Sequence, residues 1–301
     1  MTYEYDFALV GGDERQLYLS ELLKSSGNTV CGYALAMDNR KNRFLPALEG
    51  GQIKLLSSFQ DTITNSHYII GPIPFSRDNS FLCSNCCSKD LPLQTLYSFL
   101  TREQLLFGGI FSKEILTALD SGGFQYKDLM KSEEVAIGNS VATAEGAIFE
   151  AIQNSPRVLH HSSCLILGFG RCGQILAHKL NGLDCAITVS VRSTTALSSA
   201  YAYGYNVLPL HHLGEEAANF EYIFNTIPAM VLPKEILCHI SPETTVIDLA
   251  SDPGGLDYTF SNYMELNTHL RLGLPGKIAP CSSAKILYDE ILKWTFPCIV
   301  K

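Results

Sequence analysis

Short apolar runs with strand character recur along the first half of the chain, at intervals that leave room for one helix between them. This alternation is typical of βαβ units and predicts one α/β domain with a parallel sheet. The predicted strands are Phe7–Val10, Thr29–Leu35, His67–Gly71, Gln104–Gly109 and Phe124–Asp128. The predicted helices are Glu14–Ser25, Pro92–Leu100 and Ser112–Ser121.

A second and more regular series follows, which predicts a doubly wound sheet of the dinucleotide-binding type. Its predicted strands are Ser163–Leu167, Cys185–Val191, Asn206–Leu208, Tyr222–Asn225, Thr245–Leu249 and His269–Leu272. Its predicted helices are Arg171–Asn181, Thr194–Tyr203, Leu210–Ala218 and Pro233–His239. Two further helix-like stretches, Thr143–Ser155 and Ser282–Trp294, are expected to cross between the domains.

We therefore expect an α/β chain with two Rossmann-like domains, parallel sheets, crossing helices and an interdomain cleft. Residues 1–142 would form an N-terminal substrate or partner domain. Residues 143–281 would form an NADP-binding domain, and a C-terminal helix over residues 282–301 would pack back on the first domain.

Composition narrows the possible partners and the compartment. Of the 301 residues, 46% are hydrophobic and 17% charged, and the formal net charge of −8 argues against a nucleic-acid surface. The first apolar run is too short for a signal peptide, and no run reaches the length of a membrane span. Ten cysteines, several of them within apolar runs, fit a reducing compartment. We expect a cytoplasmic protein that binds neither nucleic acid nor a membrane.

The cluster Cys83-Ser84-Asn85-Cys86-Cys87 suggests metal ligands, but no second Cys/His pair with suitable spacing follows it. We expect no metal site, and the role of the cluster stays open. The pair His160-His161 is expected to lie in an exposed loop before a strand.

The clearest chemical signal is the turn Gly168-Phe169-Gly170-Arg171-Cys172-Gly173 between a predicted strand and an amphipathic helix. In such turns the first glycine makes the tight bend, the second lets the backbone approach a pyrophosphate, and the third allows close helix packing. The pyrophosphate would lie at the helix N-terminus, which favours anions. A strand–turn–helix without a cofactor is the alternative.

The end of the next strand favours NADP over NAD. Enzymes that use NAD usually place a carboxylate there for the ribose hydroxyls, whereas this chain has Arg192-Ser193-Thr194. Arg192 is suited to a 2′-phosphate, helped by Ser193 and Thr194. The alternative is that Arg192 is an ordinary surface cation.

Three further segments follow predicted strands, where ligands bind in open α/β sheets. Asn225 and Thr226, followed by Pro228, are expected to contact the nicotinamide side, with Pro228 starting the next helix. Ala250 and Ser251 lie in the segment that leads to Pro253-Gly254-Gly255, which is expected to wrap close to the cofactor. Lys277, in a rigid loop, is a candidate for binding a substrate carboxylate. The alternative is that it is a solvated loop lysine.

In the first domain, Gly11-Gly12-Asp13 precedes Arg15-Gln16 at a predicted helix start. Asp13 and Gln16 have the spacing of a capping box. Arg15 would project toward the cleft and bind a carboxylate. The segment from Pro72 to Pro74 is expected to form a rigid loop at the edge of the cleft.

These motifs in combination resemble the dipicolinate synthase A-subunit family, an enzyme of sporulation. The resemblance also includes Asn139 with Thr143-Ala144-Glu145-Gly146, Asp248-Leu249-Ala250-Ser251 and Gly273-Leu274-Pro275-Gly276-Lys277. It implies a fold similar to alanine and 2-hydroxy-acid dehydrogenases and oxidation of dihydrodipicolinate with NADP. The partner that it implies is a flavoprotein-like B subunit.

Further expectations concern individual residues and assembly. Catalytic roles are expected for Arg15, Lys277 and Thr226. Substrate contacts are expected for Arg15, Pro72, Pro74, Thr143, Glu145 and Lys277, with a small dicarboxylate as substrate. A homo-oligomer is expected. Two alternatives stay open: a non-catalytic nucleotide-binding subunit, and an oxidoreductase like the alanine or 2-hydroxy-acid dehydrogenases. No histidine is placed convincingly as a general base.

Overall fold

A computed structural model describes residues 3–35, 53–86 and 91–295. The chain divides into two compact units, one of residues 1–138 with 279–301 and the other of residues 139–278. Each unit is built on its own parallel sheet, as the two series of apolar runs predict.

The described residues of the first unit form six strands and six α-helices, counting helices that lie in it wholly or in part. The strands are β1 (Tyr5–Val10), β2 (Val30–Tyr33), β3 (Lys54–Leu55), β4 (Ser66–Ile70), β5 (Leu105–Gly108) and β6 (Gln125–Asp128). The helices are α1 (Glu14–Ser25), α2 (Phe59–Thr64), α3 (Leu93–Phe99), α4 (Lys113–Gly122), the first part of α5 (Glu133–Gln153) and α12 (Pro280–Thr295). The division between the units falls within α5.

The second unit holds the rest of α5 and a second six-stranded sheet. Its strands are β7 (Ser163–Leu167), β8 (Ala186–Val191), β9 (Asn206–Pro209), β10 (Tyr222–Asn225), β11 (Thr245–Asp248) and β12 (Thr268–Leu270). Its other helices are α6 (Arg171–Asn181), α7 (Thr194–Ala202), α8 (Leu213–Glu216), α9 (Lys234–Leu237), α10 (Tyr258–Tyr263) and α11 (Leu274–Ile278).

Both sheets have the same topology. The strand orders are β3-β2-β1-β4-β5-β6 and β12-β11-β10-β7-β8-β9, and the named strands pair in parallel. In each sheet the order reverses beside the first strand, so a crevice opens there at the carboxyl ends of two neighbouring strands. These crevices lie between β1 and β4 and between β7 and β10.

The cores follow from the two-residue repeat of buried strands. Phe7 and Leu9 of β1 pack into one apolar cluster, and Ala8 and Val10 pack into another on the opposite face of the sheet. Strand β7 alternates in the same way. Helix α12 packs beside α1 within the first unit, where Leu287 and Ile291 join the cluster that contains Leu19 and Leu23.

Several elements differ from the predictions. Helix α5 begins at Glu133, ten residues before the predicted Thr143. Residues 274–278 form the short helix α11 rather than a rigid loop, since a proline is tolerated in the first helical turn, where no backbone donor is needed. No helix begins at Pro228, because the next one is α9. The predicted C-terminal helix covers residues 282–301, and its last part, residues 296–301, lies outside the described residues.

Candidate cofactor-binding site

Three glycines between β7 and α6 have different surroundings. Gly168 has a φ of +98°, and a Cβ atom on it would lie 2.4 Å from the Thr226 hydroxyl oxygen. A Cβ atom on Gly173 would lie 2.3 Å from the Gly168 carbonyl oxygen. Around Gly170, by contrast, no atom of the described residues other than its own and those of its two chain neighbours lies within 4 Å of that position. Two glycines therefore close the turn, and the third leaves open space above it.

This open space lies at the N-terminus of α6. Gly170 is the N-cap residue and makes no side-chain cap hydrogen bond, so the first turn of α6 has backbone donors that a capping side chain would otherwise take. A helix N-terminus with exposed N–H groups favours an anion. The residues present therefore fit a dinucleotide pyrophosphate. At Gly170 the protein backbone would lie close to that pyrophosphate.

The other residues of the turn present mainly backbone. The Phe169 side chain is buried and its ring packs against Tyr203 and Tyr205, with centroids 6.1 Å away in each case. Burial raises the pKa of the Cys172 thiol to about 11, so this thiol stays protonated at neutral pH. Arg171 is exposed at the first position of α6.

The end of β8 carries Arg192, which is exposed and stands directly after the buried residue Val191. Ser193 is the N-cap of α7 and accepts a hydrogen bond from the Ala196 backbone N–H at 3.4 Å, and Thr194 is the first helical residue. A cation, a hydroxyl and a helix N-terminus therefore meet at this edge of the sheet.

The side chains after β10 are turned inward, which differs from our expectation. The Asn225 amide accepts from the Ile227 N–H at 3.0 Å and donates to the Ile227 carbonyl and to Asp248. The Thr226 hydroxyl donates its hydrogen to the Leu167 carbonyl at 2.9 Å. Both side chains therefore shape the turn, and the exposed Pro228 lies beyond it.

Asp248, at the end of β11, is fully buried and organises the segment that follows. Its carboxylate accepts from the Ala250 and Gly255 backbone N–H groups and from the Tyr258 hydroxyl. Burial and the bond to Asp248 raise the pKa of Tyr258. Ala250 is buried, whereas Ser251 is exposed. The sequence alone assigns Asp248 no role, because its partners are visible only in the fold.

Three predicted substrate residues lie on α5 and α11. The Thr143 hydroxyl donates to the Asn139 carbonyl one turn earlier, at 2.8 Å. Glu145 forms an ion pair with Lys179 of α6 at 2.9 Å. Lys277 is exposed on α11. Gly146 of α5 packs against Leu274, so the two helices are in contact within the second unit.

The first unit gathers a separate group of predicted residues at the crevice between β1 and β4. The Arg15 guanidinium donates to Asp13 at 2.8 Å and to the Ile73 carbonyl at 2.6 Å. Its contact with Ile73 places it beside Pro72, which is buried, and Pro74, which is half-buried. The capping box does not form as predicted, since the Gln16 amide donates across to the Gly71 carbonyl.

A segment that sequence reasoning missed covers the glycine turn of the first unit. Gly12 donates its N–H to the Cys83 carbonyl at 2.8 Å, and its carbonyl accepts from the Asn85 N–H at 3.0 Å. Gly11 has no space for a side chain, because a Cβ atom would lie 2.7 Å from the Cys83 carbonyl oxygen. No periodic pattern in this stretch indicated the contact.

The remaining predictions concern exposed or metal-binding groups. His160 and His161 are exposed and precede β7, as predicted. His67, the first residue of a predicted strand, is half-buried and stacks on Tyr3 and Tyr68. Within the described ranges no group of three metal-ligating side chains occurs, and Cys87 lies outside them. No helix in those ranges is long and apolar enough to cross a membrane.

Comparisons with known proteins bear on the whole chain. Residues 6–130 match the family model of the dipicolinate synthase A-subunit N-terminal domain. The chain is 27% identical over 289 residues to the dipicolinate synthase A subunit of Bacillus subtilis (strain 168), a match that covers 95% of this chain and 94% of that one. The predicted family resemblance is confirmed.

Solved structures extend the likeness to the fold. The crystal structure of the dipicolinate synthase A subunit from Bacillus halodurans has a TM-score of 0.84 at 25% identity, covering 98% of this chain and 99% of that one. An L-alanine dehydrogenase has a TM-score of 0.62 at 15% identity, covering 95% and 88%. The dipicolinate synthase A-subunit resemblance therefore comes with a dehydrogenase-like fold, as predicted.

Proposed function

We propose that this chain is the NADP-dependent A subunit of a dipicolinate synthase and oxidises dihydrodipicolinate to dipicolinate during sporulation. The observation that carries the proposal is the open glycine turn at Gly170 and the uncapped N-terminus of α6, at the crevice between β7 and β10. The name of the B. subtilis relative supplies the substrate class. The reaction converts dihydrodipicolinate and NADP⁺ to dipicolinate, NADPH and a proton.

NADP is proposed as the cofactor because of the residues after β8. Arg192 would pair with the 2′-phosphate, and Ser193 with Thr194 would offer the N-terminal end of α7. The pyrophosphate would contact Gly168 to Gly173. When bound there, NADP⁺ would supply the hydride acceptor for oxidation of the substrate ring.

Backbone groups are proposed to contact the nicotinamide, because the Asn225 side chain is buried and already donates a hydrogen bond to Asp248. The turn that runs from Thr226 to Pro228 and the segment at Ala250 and Ser251 would border the ring.

The substrate carboxylates are proposed to bind Arg15 and Lys277. In the described part of the chain, the Arg15 hydrogen bonds run through Nε and Nη2, which leaves Nη1 for a ligand oxygen. Pro72, Pro74, Thr143 and Glu145 are proposed to shape the substrate site. The proposed partners are a flavoprotein-like B subunit and further copies of this chain.

A second candidate is a nucleotide-binding subunit without catalysis. It is favoured by the hydroxyl hydrogens of Thr143 and Thr226, which are both donated to backbone carbonyls rather than offered to a ligand.

Turnover separates the two functions. The purified chain, first by itself and then with the B subunit, is supplied with dihydrodipicolinate and NADP, and NADPH and dipicolinate are measured. Equal amounts of both products, abolished when this chain is omitted, support the proposal. Formation of dipicolinate by the isolated B subunit at the same rate would favour the non-catalytic role. Alanine and a 2-hydroxy acid serve as control substrates, which the proposal expects to be inert.

A further inference from the structure

A single buried carboxylate joins three segments at the carboxyl edge of the second sheet. Asp248 Oδ1 accepts from the Asn225 amide at 2.8 Å and from the Ala250 N–H at 3.0 Å. Its Oδ2 accepts from the Gly255 N–H and the Tyr258 hydroxyl, both at 2.7 Å. The four donors come from the last residue of β10, the segment after β11 and helix α10.

Such a carboxylate is costly unless it is fully hydrogen-bonded, because burial removes its hydration. Here every donor is a neutral group of fixed position, and no cation is among the partners that these bonds define. The geometry is therefore demanding. Two oxygen atoms must each lie between two donors, and the segments that carry the donors must hold one arrangement to satisfy them.

The glycines after Asp248 show how closely the segment is seated. A Cβ atom on Gly254 would lie 2.6 Å from Asp248 Oδ2, and one on Gly255 would lie 2.2 Å from the Asn225 amide nitrogen. Gly254 also has a φ of +89°, in the region that favours glycine. The segment is thus packed directly against the carboxylate, while Ser251 and Pro253 at its tip are exposed.

The two segments held by Asp248 lie on one side of the glycine turn. Strand β10 pairs with β7 and β11 pairs with β10, whereas β8, with Arg192 at its end, lies on the other side of β7. In sheets of this order, the adenosine half of a dinucleotide lies on the side of the first strand where the second strand pairs, which here is the side of β8. The nicotinamide half lies on the opposite side, which here is the side of β10 and β11. The segments fixed by Asp248 therefore border the nicotinamide half.

We infer that Asp248 is the positioning residue of the nicotinamide half-site, which it holds in shape through Asn225, Ala250 and Gly255 without touching the cofactor. This inference rests on the proposed binding of NADP. It predicts that loss of the carboxylate impairs recognition of the nicotinamide half and leaves recognition of the adenosine half intact.

The test is the variant Asp248→Asn, in which one oxygen becomes an NH₂ group and two donors lose their acceptor. Its matched control is Asp257→Asn, in which asparagine can still cap α10 as Asp257 does. Affinities are measured for NADPH and for 2′,5′-ADP, which lacks the nicotinamide half. For Asp248→Asn we expect NADPH to bind about tenfold more weakly or worse, on the scale of one lost hydrogen bond to a charged group. Binding of 2′,5′-ADP is expected to change less than about twofold.

The milder variant Tyr258→Phe removes one donor and keeps the inference testable if Asp248→Asn does not fold. It is expected to weaken NADPH binding by a smaller factor than Asp248→Asn does. Amide hydrogen exchange without ligand is expected to rise in residues 225–229 and 249–256 in both variants and not in the control. Unchanged NADPH affinity, or equal losses for NADPH and 2′,5′-ADP, would overturn the inference. Failure of the wild-type chain to bind either ligand would instead overturn the proposed function.

Discussion

Arg192 is the residue that we propose sets the choice between NADP and NAD. It follows β8 with its side chain exposed, in the place where enzymes that use NAD commonly carry a carboxylate. A guanidinium can pair with a phosphate through two N–H groups. A carboxylate at that position would repel the 2′-phosphate. In the proposed function, the identity of this residue, rather than the glycine turn, would therefore separate the two cofactors.

We predict that Arg192→Ala weakens NADPH binding about tenfold, the scale of a charge-assisted hydrogen bond, and leaves NADH binding nearly unchanged. Titration at low and at high salt measures both affinities, and the loss is expected to shrink as salt screens the pair. Arg77→Ala, at an exposed arginine of the first unit, is the control. Parallel losses for NADPH and NADH would contradict the assignment to the 2′-phosphate.

Single residues also mark the limit of what the sequence could predict about the site. Gly168, Gly170 and Gly173 were identified because their spacing repeats a local geometry within one strand–turn–helix unit. The inward orientation of Asn225 and Thr226 was not, because their partners Asp248 and Leu167 lie on neighbouring strands. A hydrogen bond between residues far apart in sequence leaves no periodic signal.

Among the helices and strands, the most accurately predicted are those that have a buried face and a defined first residue. Strand β7 and helix α6 were predicted with their observed bounds, as was α1, whose N-cap Asp13 precedes the first helical residue. Strand β3 was missed because its two residues are exposed and lack an apolar repeat. Helix α10 was missed although Asp257 caps it, since six residues carry little periodicity.

One contact between elements of the first unit depends on a titrating group. Glu290 of α12 accepts from Ser132, just before α5, at 2.9 Å and from Lys293 at 2.8 Å. Burial alone would raise the pKa of Glu290, but the hydrogen bonds from Lys293, Ser132 and Trp294 outweigh it and lower the pKa. The ionised form is therefore the one that ties α12 to the start of α5.

Because the folded-state pKa of Glu290 is lowered, its contribution to stability is present above the unfolded glutamate pKa of about 4.3 and is lost as the pH falls through the lower folded value. We predict that Glu290→Gln lowers the free energy of unfolding at neutral pH by about 1 kcal/mol and flattens its decline in this acidic range. Urea unfolding at several pH values measures both effects. Glu103→Gln, at an exposed site, is the control, and an unchanged acid profile in Glu290→Gln would contradict the argument.

At the scale of the whole chain, two sheets of identical strand order offer two glycine turns but differ in what covers them. In the first unit, Cys83 and Asn85 hydrogen-bond to both sides of Gly12 and occupy the approach to the turn. In the second unit, Gly170 faces open space. The repeated fold follows from the two series of apolar runs, but the covering segment has no such pattern. We therefore expect one dinucleotide per chain.

Binding of this dinucleotide at the glycine turn of the second unit is what the proposed function requires. It is tested most directly by titrating NADPH into the wild-type chain and into Gly170→Val, with Gly214→Ala as a control at another glycine with open space around it. The extended backbone at Gly170 accommodates valine, so the melting temperature is expected to stay within a few degrees, whereas NADPH binding is expected to be lost. Wild type and control are expected to saturate at one NADPH per chain. Undiminished NADPH binding by a folded Gly170→Val chain would contradict the account.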